Sequence, residues 1–208
     1  MNYMNFDLGI WEIAVLAFLR EAPMHPYQMQ RLLKERHKDE ILALKRGSLY
    51  HAIGRLERAV LIEVETTGRD GKRPERTTYR ITPAGTEALL GTLRKIIATP
   101  RQESSEFMAA MSFLVHLSPE EAMEWLGKRC QQLQGRIDGL AQGLSVASTF
   151  VLRINLVESE YLLAMQKAEL DWVRGLESDI RAGKLTWNTE SLFKGAETSR
   201  LAAANGRE

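Results

Sequence analysis

The stretch Arg46-Gly47-Ser48-Leu49-Tyr50-His51-Ala52-Ile53-Gly54-Arg55-Leu56-Glu57-Arg58 decides how this chain folds. Leu49, Ile53, Leu56 and then Val60 follow one another at four, three and four residues, which places them on one side of a helix from about Arg46 to Ala59. The other side carries Gly47, Ser48, His51, Gly54, Arg55 and Arg58. Such a helix can bury its apolar back and still offer hydrogen-bond donors in front. Guanidinium groups pair with guanine edges, and Ser and Tyr hydroxyls hold phosphates.

Beyond this helix, Ile62 and Val64 alternate with Glu63 and Glu65, and Tyr79 and Ile81 alternate with Thr78 and Arg80, the pattern of two half-buried strands. Between them, Asp70-Gly71 is a hairpin-turn signal, and Arg69, Lys72, Arg73 and Arg76 make the tip basic. Thr82-Pro83 joins an N-cap to a helix-compatible proline and opens a helix carrying Leu89, Leu90, Leu93, Ile96 and Ile97, which Pro100 closes. On the other flank, Asp7 is expected to cap a first helix reaching about Ala22, with Phe6 and Trp11 as its hydrophobic staple. Leu8, Ile10, Ile13, Val15, Leu16, Phe18 and Leu19 surround that helix and bury it on more than one side. Pro26 suits the first position of a second helix, with Met29, Leu32 and Leu33 on one face. Three helices, a basic hairpin and a further helix is the order of a winged helix-turn-helix, whose third helix enters the major groove.

The composition narrows the alternatives. The chain has 208 residues, is 44% hydrophobic and carries a formal charge of +1, within the ordinary globular range. Residues 1–95 hold 16 basic and 12 acidic side chains, and residues 96–208 hold 12 and 15, so the polyanion-binding half is the N-terminal one. The longest strictly apolar run, Ile13 to Leu19, falls well short of the roughly 18 residues of a membrane span. Asp7 and Glu12 precede the first basic residue, Arg20, unlike a secretory signal, and a cytosolic protein is expected. Cys130 has no second cysteine to pair with. Gly68 to Arg73 lacks the spacing of a phosphate loop, and His25, His37, His51 and His116 are not at ligand spacing. No enzymatic activity, metal or cofactor is expected.

The quoted stretch, together with Thr78-Tyr79-Arg80-Ile81-Thr82-Pro83-Ala84-Gly85, resembles the PadR family of bacterial transcriptional regulators. The resemblance covers residues 8–98 and continues to about Gly183 in the manner of the longer PadR subfamily, which has a virulence-activator-like C-terminal domain. It implies a mainly α protein: a winged helix-turn-helix DNA-binding domain with a two-stranded wing over residues 1–98, a helical dimerisation and effector domain over 99–183, and a tail over 184–208. It also carries Ser48, Tyr50 and Arg55 of the third helix and Lys72, Arg73 and Arg76 of the wing over as operator contacts. Lys45, Arg46 and His51 on or beside that helix, and Tyr27 and Gln28 opening the second, complete the candidate DNA-binding set. Two residues depart from the family pattern: His51 stands where a proline or small residue is usual, and Val60 where a glycine is usual.

The C-terminal half reads as an association module. Ser118-Pro119-Glu120-Glu121 is a capping-box helix start, so a preceding helix from about Glu103 ends at Leu117. Met123, Leu126, Cys130, Leu133, Ile137, Leu140 and Leu144 step by threes and fours, as a coiled-coil seam or an intramolecular bundle face does. Gly135, Gly139 and Gly143 interrupt the same helix; they either permit a close crossing or mark a weaker stretch. A last helix, about Thr149 to Ala182 with Gly183 as its C′ residue, shows two apolar stripes: Ile154, Val157, Tyr161, Ala168, Trp172, Leu176 and Ile180, and Leu152, Leu156, Leu163 and Leu170. Two stripes need two partners, and the resemblance implies that one is a second subunit in a homodimer. Phe107, Met111 and His116, with Trp11 and Trp172, are the candidate binding residues for a small aromatic or phenolic effector. The sequence thus reads as a homodimeric, operator-binding repressor released by such an effector. The alternative is a protein-interaction or architectural module that makes no choice of operator.

Overall fold

A computed structural model of the chain describes residues 7–38, 48–68, 76–100 and 105–189, which fall into two compact units, Met1–Gln102 and Glu103–Glu208. Among the described residues the protein is mainly helical, with seven α-helices and one two-stranded antiparallel sheet. None of these helices is long and apolar enough to cross a membrane.

The first unit comprises α1 (Ile10–Glu21), α2 (Pro26–Glu35), α3 (Ser48–Arg58), β1 (Ile62–Gly68), β2 (Arg76–Ile81) and α4 (Pro83–Ala98). Helix α1 is its axle, packing on α3, α4 and β2, as its apolar residues around most of the circumference require. Val15, Leu16 and Leu19 of α1 meet Met29 and Leu33 of α2, Leu49, Ile53 and Leu56 of α3, Ile62 of β1 and Leu89 of α4 in one buried cluster. Helix starts are fixed locally. The His25 Nδ1 accepts from the Gln28 backbone N–H at 3.1 Å ahead of Pro26, and Thr82 Oγ1 accepts from Gly85 N–H at 3.0 Å ahead of Pro83.

Helix α1 begins later than expected: its N-cap is Gly9, not Asp7. Leu8 is buried in the core, so the chain has already entered the domain before the first helical turn, and the Asp7 carbonyl faces Arg55 Nη2 at 3.5 Å instead. Trp11 packs against the core, while its expected staple partner, Phe6, lies outside the described residues. On α4 the apolar face outlasts its partner: Leu89 is buried and Leu93 partly so, whereas Ile96 and Ile97 are exposed beyond the core.

The sheet pairs Ile62 with Ile81, Glu63 with Arg80 and Val64 with Tyr79, and a bulge follows between Val64 and Thr66. Glu63 and Arg80 form a 2.7 Å ion pair across it. The alternation holds at Ile62, which is buried, and fails at Val64, which is exposed although its partner Tyr79 still packs on the core. Met24 exchanges two backbone hydrogen bonds with Tyr79, each 3.1 Å, adding a one-residue third rung beside β2. The expected Asp70-Gly71 turn lies outside the described residues.

Val60, between α3 and β1, sits in the left-handed region at φ 58. A Cβ there costs about 1–2 kcal/mol, and with 66% of its surface exposed the side chain has little packing to return. Val60→Gly should therefore stabilise the protein by about 1 kcal/mol despite glycine's entropy cost. A urea midpoint that falls, rather than rises, would contradict this.

The second unit comprises α5 (Glu106–Ser112), a 3-10 turn (Leu114–His116), α6 (Pro119–Ala147), a second 3-10 turn (Arg153–Asn155) and α7 (Val157–Arg181). Ser118 and Glu121 form the full capping box at the start of α6. Helices α6 and α7 are an antiparallel pair. Gln134 accepts from Arg174 at 3.0 Å, Arg129 donates to Glu169 at 2.7 Å, and at the far end Trp187 Nε1 donates to the Leu117 carbonyl at 2.7 Å. Leu126, Cys130, Leu133 and Ile137 of α6 are buried with Leu170, Val173 and Ile180 of α7. The heptad-spaced seam is thus an intramolecular face over most of its length. Burial pushes the Cys130 thiol up, Glu177 adding to the effect and Arg174 opposing it.

Three expectations change in this unit. The helix from Glu103 to Leu117 is broken into α5 and a 3-10 turn, because Phe113 leaves the helical track and the Leu117 carbonyl is taken by Trp187 and Thr189. The last helix starts at Val157, not Thr149: Ser148 and Thr149 donate their hydroxyls to the Ser145 and Val146 carbonyls and end α6, and the β-branched and aromatic residues after them are poor helix formers. Helix α6 runs unbroken through Gly135, Gly139 and Gly143, where an added Cβ would meet nothing within 4 Å, so no close crossing among the described residues requires these glycines. Gly183, at φ 69, turns the chain out of α7 as a C′ residue should.

Candidate nucleic-acid interface

The candidate surface is built on α3. Its Leu49, Ala52, Ile53 and Leu56 are buried, which turns Tyr50, His51, Arg55 and Arg58 outward. Ser48, the first residue of α3, is half-buried. Tyr50 is 61% exposed, a large aromatic hydroxyl at the N-terminal end of the helix. Tyr27, in the first turn of α2, is likewise exposed, and its ring stacks on His25 at 6.2 Å. Gln28 lies beside it with its backbone N–H spent on the His25 cap. Tyr27 and Tyr50 are thus exposed in the first unit, and Gln28 and Ser48 are half-buried there.

Lys45, Arg46, Lys72 and Arg73 lie outside the described residues, and Arg76 opens β2 opposite Gly68. The root of the hairpin is firmly set. Thr82 Oγ1 caps α4 and also donates toward the Val60 and Leu61 carbonyls at 2.9 and 3.0 Å, so one hydroxyl joins the exit of α3, the start of β1 and the entry to α4. Desolvation raises the Tyr79 phenol, and Glu57 adds to it, so Tyr79 serves as a neutral packing ring between the hairpin and the core.

Arg55 is not simply displayed to solvent. Its Nη1 pairs with Glu12 Oε1 at 2.9 Å, and the Glu12 side chain is only 5% exposed. Sequence reasoning passed over Glu12. The available signal was a lone carboxylate inside the apolar run of the first helix, a residue that a buried environment tolerates only with a cation beside it.

The five candidate effector residues do not form one cluster within a unit. Trp11 packs in the core of the first unit. In the second, Phe107 and Met111 pack on the helical core, Phe107 meets Trp172 edge-on at 6.1 Å, and the Arg129 guanidinium lies 3.6 Å from the Phe107 ring centre. His116 is exposed, 6.5 Å from the Phe113 ring. Phe107 and Trp172 are thus brought together and occupied with each other. Among the described residues no group of His, Cys, Asp and Glu is arranged to hold a metal ion.

Residues 15–90 match the model of the transcriptional regulator PadR-like family. No curated protein matches the chain. Among solved structures, the PadR protein of Bacillus subtilis in complex with operator DNA is similar at 20% identity, with a TM-score of 0.66 over 83% of this chain and 99% of that one. The same protein in complex with p-coumaric acid matches at 19% identity and a TM-score of 0.66, again over 83% and 99%. A PadR-like transcriptional regulator from Bacillus cereus matches at 15% identity and a TM-score of 0.57, over 83% and 99%. At these identities the likeness shows the fold, a winged helix followed by a helical C-terminal region.

Proposed function

We propose, from the premise that residues 15–90 form a PadR-like domain, that this protein is a homodimeric, sequence-specific DNA-binding regulator that represses transcription. The observation that carries this reading is the outward face of α3, where Tyr50, His51, Arg55 and Arg58 stand together next to a hairpin rooted on the same core. In this reading α3 enters the major groove, and Tyr27 and the basic wing residues Lys72, Arg73 and Arg76 hold the phosphate backbone. The neighbouring structure bound to operator DNA supports the same assignment.

A second copy of the chain is the partner for α7. Val157, Tyr161, Met165 and Trp172 form an exposed stripe on that helix, and Phe150, Leu152 and Ile154 extend it through the connecting segment at 72–75% exposure. A monomeric soluble protein seldom leaves so much contiguous apolar surface in water. A two-fold dimer presents two α3 helices to two half-sites. Release by a small aromatic acid completes the reading, supported by the p-coumaric acid bound to a protein of the same fold and by the aromatic surface at Phe107 and Trp172.

Titration of DNA from upstream of its own gene, followed by fluorescence anisotropy at several salt concentrations, tests the proposal. Tight binding that is selective over scrambled DNA and weakens with salt is expected, with millimolar p-coumaric acid releasing it. Arg73→Ala should lower the magnitude of the log affinity against log salt slope by about 0.9, the share of one phosphate contact. Equal affinity for scrambled DNA would overturn the regulator reading.

A further inference from the structure

Glu12 and Arg55 form a joint between the axle helix of the first unit and the face of α3. The Glu12 side chain is 5% exposed and the Arg55 side chain 48%, so the carboxylate lies within the domain while the guanidinium reaches from it to the surface. Arg55 Nη1 is held by Glu12 Oε1 at 2.9 Å, and Nη2 lies 3.5 Å from the Asp7 carbonyl. Room for the carboxylate comes from Gly9: a Cβ at that position would come within 2.7 Å of Glu12 Oε2. A guanidinium is a rigid planar fork, so fixing two of its nitrogens fixes the direction of its remaining N–H groups. An arginine held in this way also surrenders less rotamer freedom on binding than one swinging in solvent.

We propose that Glu12 is the positioning residue for Arg55: without touching DNA, it sets the base edge that α3 reads and so determines part of the operator preference. The inference rests on the DNA-binding reading above and deepens it. Glu12 belongs to α1, outside the helix and wing where contacts are sought, and acts only through the aim of the guanidinium.

The test begins with selection of the parent protein's preferred duplex from a random pool. Parent, Glu12→Gln, Arg55→Gln and the double variant are then titrated on that duplex and on each of its single-base changes. Glu12→Gln keeps the shape and an oxygen acceptor for Nη1, so the fold should persist, as an unchanged thermal melt would verify. It should lower discrimination at one base pair about tenfold, the scale of a base-reading contact, and leave affinity for random DNA unchanged. Arg55→Gln should lose discrimination at the same base pair, and the double variant should lose no more. Arg55→Lys retains a charge for Glu12 but not the fork; it should show the same loss, and it carries the test if Glu12→Gln does not fold. Unaltered discrimination in Glu12→Gln, or in Arg55→Lys when that variant carries the test, overturns the inference, as does a loss at a different base pair from Arg55→Gln. A parent that binds no DNA, or binds it without preference, defeats the regulator reading itself, whereas the outcomes above defeat only the role of Glu12.

Discussion

Gly85→Ala should cost the first unit about 3 kcal/mol, the upper end of ordinary overpacking, and lower its melting temperature by roughly 10–20 °C. A Cβ on Gly85 would lie 2.0 Å from the Leu61 carbonyl oxygen and 2.9 Å from Ile81 Cγ1. The carbonyl cannot simply retreat, since it accepts from the Thr82 backbone N–H at 3.1 Å and from the Thr82 hydroxyl at 3.0 Å. Moving it gives up hydrogen bonds worth about 1 kcal/mol each. Gly91, on the same helix, has nothing within 4 Å of its would-be Cβ, so Gly91→Ala should gain up to about 1 kcal/mol from helix propensity alone. Parallel thermal melts of the two variants isolate the effect. Equal melting temperatures would mean that the Leu61 contact does not constrain the helix.

Opposite outcomes are expected from two charges placed two residues apart on α7. Leu163 is partly buried against the core between α6 and α7, and Leu163→Glu should destabilise the helical pair, since a charge there is partly desolvated without a partner. Tyr161 is 68% exposed, so Tyr161→Glu should leave each chain folded and split the proposed dimer, with operator affinity falling steeply as one half-site is lost. Sedimentation and circular dichroism together separate the cases. A Tyr161→Glu protein that remains dimeric at micromolar concentration, or a parent that is monomeric there, would remove α7 from the subunit interface. The sequence pattern left open which stripe faces a second subunit; both contribute to the core, through Leu163 and Leu170 and through Leu176 and Ile180, and the exposed Tyr161 is the residue that tests the interface.

Legibility in the sequence followed the range of the interactions. Pro26, Thr82-Pro83 and Ser118-Pro119 announced helix starts that the structure contains, because caps and N-terminal prolines act over three or four residues. The apolar side of α3 was equally clear, as Leu49, Ile53 and Leu56 repeat within a single helix. What failed depended on distant partners. Leu8, buried by the core, overrode Asp7 as the determinant of where α1 begins. Trp187, 70 residues from Leu117 in sequence, helps close the end of the 3-10 turn. The seam on α6 had the spacing of either an inter-subunit or an intramolecular face, and only the presence of α7 beside it decides. Of the candidate site, the outward residues of α3 were readable, but the support of Arg55 by Glu12 was not, because 43 residues separate them and no local pattern joins them.

The bulge between Val64 and Thr66 changes the parity of the wing. Strict alternation from Ile62 would put Val64 and Thr66 on the same face. Their partners on β2 are Tyr79 and Thr78, which are adjacent and so face opposite sides of the sheet. The extra residue, Glu65, thus puts Val64 and Thr66 on opposite faces, against the count along β1. Whether Thr66 shares a face with Val64 is therefore decided by an odd or even count at the bulge, not by composition alone. Deleting Glu65 would remove the bulge and leave a regular ladder with the same cross-strand partners, so the odd residue changes the count along one strand and not the pairing.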